Sequence, residues 1–103
     1  MDEELLRRIA AGNRTNIEKS LVEIDSQDLT QMPLSTMVTN YIFGPIQRIY
    51  NRGEYLLNVS RGPGSQAWKD LMTDFAAAEI LISKAKINKA YEELQRRDKQ
   101  LNF

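Results

Sequence analysis

The sequence predicts an all-α fold of three to four helices, a helical hairpin or small bundle with one long C-terminal helix and a middle helix kinked at Gly44-Pro45. Three observations carry that prediction. Apolar residues recur at helical spacing through most of Ser65 to Phe103, a length that strands do not reach. A second helical run, from Leu34 to Ser60, is interrupted only by Gly44-Pro45; proline inside a helix removes one donor and collides with the carbonyl four residues back. Between the two runs stands Arg61-Gly62-Pro63-Gly64-Ser65, which ends one helix, forbids its continuation and caps the next.

Composition bounds the rest. At 103 residues the chain is read as a single helical domain over 1–103 with room for one core. It is 42% hydrophobic and 27% charged with a mean hydropathy of -0.48, the balance of a folded chain rather than a disordered one. Fourteen basic residues offset fourteen acidic ones, so no global field draws nucleic acid or an anionic membrane. Charge is uneven along the chain: residues 1–33 hold seven acidic and four basic residues, residues 34–65 one and three. Unlike ends of neighbouring copies could meet through that asymmetry, and a solvated surface explains it equally well. There is no Cys and no His, which excludes disulfides, thiol chemistry, His-based triads and the usual zinc ligand sets. No cofactor or metal is expected. No signal peptide or membrane span is legible, and the expected location is the cytosol. Asn13-Arg14-Thr15 and Asn58-Val59-Ser60 then read as chance glycosylation triplets.

Taken in order, residues 1–25 are an N-terminal helix or helix pair. Asp2, Glu3 and Glu4 complement the positive end of a helix dipole. Thr15-Asn16-Ile17-Glu18 fits a capping box that would start a second helix. The alternative, slightly favoured, is one helix that tolerates Gly12 at about 1 kcal/mol and aligns Leu6, Ala10, Asn13, Ile17 and Ile24 on one seam. Residues 26–33 are a polar linker, and Pro33 suits the first turn of the next helix. The kinked helix spans 34–60, the turn 61–65, with Gly62 expected in the left-handed conformation. The long helix covers 66–101, near 50 Å at about 1.5 Å per residue. Trp68, Phe75 and Ile82 are expected to form its core row, with Met37, Tyr41, Ile49, Tyr50 and Leu57 packing across.

From Phe75 to Ile82 the only charged residue is Glu79 and apolar residues surround the axis, which implies burial on two sides. One side is expected to face the chain's own helices and the other a second subunit; the alternative is a monomeric three-helix bundle whose central helix is buried on both sides by residues 1–60, with a solvated tail after Leu94. The expected protein interface is Ile80, Ile87, Tyr91, Leu94 and Leu101. Glu92 with Arg96 and Glu93 with Arg97 read as solvated pairs one turn apart. The alternative partner is nucleic acid, held by Arg48, Arg52, Arg61, Lys84, Lys86 and Lys89 with Tyr50 and Tyr55 interleaved. Close carboxylates occur at Asp70 and Asp74, but none has a neighbour that would raise one pKa, and no catalytic residue is assigned.

The order Gly62-Pro63-Gly64, Asp70-Leu71-Met72-Thr73-Asp74 and Asn88-Lys89-Ala90-Tyr91-Glu92 resembles the closing helix of small rod proteins of flagellar and related export machines. The likeness covers about a third of the chain and needs shifts between its fragments. It implies a small helical chain that packs in multiple copies. The expected function is therefore that of a non-enzymatic structural subunit acting through homo-oligomerisation or contacts with another protein, as phage, viral or secretion assemblies use.

Overall fold

The computed structural model describes residues 3–101. Among them α1 (Glu3–Ser26), α2 (Leu34–Val38), a π-helical turn (Thr39–Phe43), α3 (Gly44–Arg61) and α4 (Gln66–Leu101) follow in order, without a strand. The fold is all-α, with one kinked middle helix and a long C-terminal helix.

α1 runs straight through Gly12, around which there is open space. The capping box does not form: the Thr15 hydroxyl donates back to the Ala11 carbonyl at 3.2 Å, one turn earlier in the same helix. Glu3 and Glu4 sit in the first turn and face Arg7 and Arg8. Leu6, Ala10, Asn13 and Ile17 are half-buried and Ile24 is buried, the seam expected of a continuous helix.

The middle helix keeps its path through Gly44-Pro45 by changing pitch. In the π turn the hydrogen bonds reach back five residues, and the Gly44 N–H donates to the Thr39 carbonyl. The extra residue in the turn moves the backbone away from the proline ring, a recognised origin of helix kinks. A Cβ on Gly44 would stand 3.2 Å from the Thr39 oxygen, so glycine suits this position. Pro45 itself is buried.

The turn into α4 differs from expectation. Gly62 is extended (φ -85, ψ 175), and the positive φ belongs to Gly64, at 130. Trp68 lies over Gly64, whose Cβ would meet the indole Cδ1 at 3.1 Å. The indole is thus a lid on the turn, 41% exposed, and not the core residue expected. Ser65 caps α4 by accepting the Trp68 N–H at 3.2 Å.

α4 is the axis. α1 lies along it in parallel: Leu6 and Ala10 line a crevice with Ala67 and Leu71, Ile17 with Ala77 and Leu81, and Ile24 with Ala85 and Asn88. α3 lies antiparallel, with Lys69 near Ser60 and Arg48 and Arg52 near Glu79. α1 and α3 make no extensive contact with each other. The Cα envelope measures 60 × 26 × 17 Å. With α1 and α3 each packed on α4 and not on each other, the three helices make an elongated body rather than a closed triangular bundle. Its radius of gyration of 17.2 Å exceeds the roughly 13 Å of a compact domain this size.

The loop between α1 and α2 crosses α4, and it is not merely polar. Leu29 is buried with Met37 and Ala90, and Met32, Tyr41, Ile42 and Leu94 pack around them. This core cluster sits on the C-terminal half of α4, where contact with another chain was expected. The expected solvated pairs are also different. Glu93 is 6% exposed and receives both Arg96 and Arg97, with N to O distances of 2.7 and 2.9 Å. Arg97 then donates to the Leu29 carbonyl at 3.0 Å and the Met32 carbonyl at 2.6 Å. An Asx turn completes the loop, with Thr30 N–H donating to Asp28 at 2.9 Å, and Tyr41 donates to Gln27.

Candidate interaction surfaces

The two-sided burial of α4 is real, but α1 and α3 of the same chain supply both sides. Ala78 is buried toward α1 and Ala76 elsewhere on the helix; small side chains allow close helix approach. Of the expected interface, Ile80 and Ile87 are half-buried and Leu94 belongs to the shell around Leu29 and Met37. Tyr91 is exposed, its hydroxyl accepting from Gln95 at 3.1 Å. The side chain of Leu101 lies outside the described residues. At 100° per residue Ile80, Ile87 and Tyr91 share one strip of α4, along which Ile80 and Ile87 are half-buried and Tyr91 is open.

A second strip had no place in the sequence reading. Phe43, Ile46, Tyr50 and Leu57 are 65%, 51%, 61% and 54% exposed. Spaced 3, 4 and 7 apart, they fall within roughly 60° of arc on the middle helix, on the side opposite the buried Pro45 and half-buried Val59. Tyr50 and Leu57, expected to pack across α4, point away from it. The only signal was the heptad step from Phe43 to Tyr50 to Leu57, which periodicity alone cannot assign to an inner or outer face. Beside the strip, Glu54 accepts from the Tyr50 hydroxyl and pushes it above its ordinary pKa.

The basic residues do not form one patch. Arg48 and Arg52 converge on Glu79, at 3.4 and 2.5 Å. The Arg52 Nε is buried without a hydrogen bond, so it touches the carboxylate as a charge rather than a directed donor, and its guanidinium lies 5.6 Å from the Tyr55 ring centre. Lys89 donates to the Asp25 carbonyl at 2.6 Å, closing the negative end of α1. Lys86 shares an open groove of about 710 Å³ with Arg48, Glu79, Ser83 and Pro45. Arg61 and Lys84 are exposed at separate places. No group of acidic side chains that could hold a metal occurs among the described residues, and none of their helices is long and apolar enough to cross a membrane.

No protein-family profile, curated protein or solved structure matches the chain.

Proposed function

We propose that this chain is a non-enzymatic helical assembly subunit that acts by associating with copies of itself. One observation carries the reading: large apolar side chains stand half or more open on all three long helices, among them Val22 on α1, Tyr50 on α3 and Tyr91 on α4. Exposed apolar surface of that extent marks contact with another molecule, and further copies of the chain would cover part of it. The alternative, a nucleic-acid adaptor, has less support, because Arg48, Arg52 and Lys89 are already engaged within the chain.

Sedimentation equilibrium over a wide concentration range tests it. The expected result is a mass rising above 11.9 kDa and holding at high salt, where apolar association persists and phosphate binding fades. A mass fixed at that of one chain, with duplex DNA bound at low salt, would replace this reading by the adaptor.

A further inference from the structure

We infer that the strip Phe43, Ile46, Tyr50 and Leu57 is where a second copy of this chain docks, its middle helix antiparallel to the first about a two-fold axis at Tyr50. The inference rests on the self-association proposed above and adds the surface and its geometry.

The occupant follows from size, charge and symmetry. With half to two-thirds of each side chain open, the strip offers roughly 400–500 Å² of apolar surface per copy. That is about the apolar share of a standard interface of about 800 Å² per partner. The outward arc carries Glu54 and, at its end, Arg61 as its only charged side chains, since Arg48 and Arg52 turn inward to Glu79. Such a surface has nothing to offer a strongly charged partner, whereas depletion of charge suits contact between like copies. Orientation is decided by the same residues. Parallel pairing would set Glu54 against Glu54 and Arg61 against Arg61. Antiparallel pairing about Tyr50 moves the two Glu54 groups about 12 Å apart along the axis. It also sets Phe43 of each copy against Leu57 of the other, a self-complementary match of the kind a two-fold interface requires. Gly53, on the edge of the same arc, leaves room for close approach.

The chain has no cysteine, so single introduced thiols report contacts directly. Tyr50→Cys should form a disulfide-linked dimer under mild oxidation. Phe43→Cys and Leu57→Cys should each remain single alone and cross-link when mixed. Tyr50→Asp, at an exposed site, should keep its helical circular dichroism and weaken self-association by about 30-fold or more, while Tyr91→Asp changes it little. Self-linking of Leu57→Cys would overturn the antiparallel arrangement. Association that survives Tyr50→Asp but not Tyr91→Asp would overturn the surface and leave the self-association reading standing. A wild-type chain of 11.9 kDa at all concentrations would overturn both.

Discussion

Glu93 shows how much one side chain decides here. Its carboxyl lies below the ordinary value of 4.5, chiefly because Arg96 and then Arg97 donate to it, against the opposing effect of burial. Asp28 is also lowered from 3.8, first by the Thr30 backbone N–H. A carboxyl held down in the fold contributes stability that is complete above its unfolded pKa and disappears as pH falls through the folded one. Melting temperature should therefore be flat near neutrality and fall as pH drops below about 4.5, and Glu93→Gln should shrink that acid slope. An unchanged slope would remove Glu93 from the account. Arg97→Ala should destabilise by about 2 kcal/mol, read by urea unfolding, because the Leu29 and Met32 carbonyls lose a charged donor. Leu29→Ala should lose about 2–4 kcal/mol by leaving a cavity beside Met37. Neither residue announced itself in the sequence. A lone leucine in a polar stretch has no period, and a Glu-Arg pair one turn apart looks the same whether solvated or buried.

At the scale of elements, the sequence was most legible where backbone chemistry is local. Pro45 marks a place where a helical hydrogen bond is missing, so the kink was readable; whether the chain breaks or absorbs the proline with a π turn depends on packing against α4, which no local rule contains. The hairpin turn was readable for the same reason: Gly62 precedes Pro63, whose ring holds the residue before it extended, which leaves the positive φ to Gly64 beneath Trp68. These glycines predict opposite responses. Gly12→Ala and Gly53→Ala meet nothing within 4 Å and should each raise stability by about 0.5–1 kcal/mol in thermal or urea unfolding. Gly64→Ala should cost about 1–3 kcal/mol, because alanine resists that φ and its Cβ meets the indole. Loss of stability in Gly12→Ala would point to a break in α1 that the continuous helix lacks.

For the molecule as a whole, the helices and their order were legible, and so was the fact that α4 is covered on two sides. Which segments cover it was not, because Tyr50, Leu57, Phe75 and Ile82 all share the same spacing and the pattern carries no sign for inside or outside. The parallel placement of α1 was also out of reach, since it depends on a crossing loop whose anchor is the half-buried Arg97.

That crossing loop has a kinetic consequence. The middle helix and α3 meet α4 through a turn of a few residues and share with it the core around Met37, while α1 packs on α4 alone and buries only Ile24 among its described residues. α1 is therefore the last element to dock and the first to leave, and its amides should exchange with solvent ahead of those in α3 and α4 under native conditions. Arg97, by pinning the loop halfway, shortens the free chain on either side and so sets how often α1 lets go.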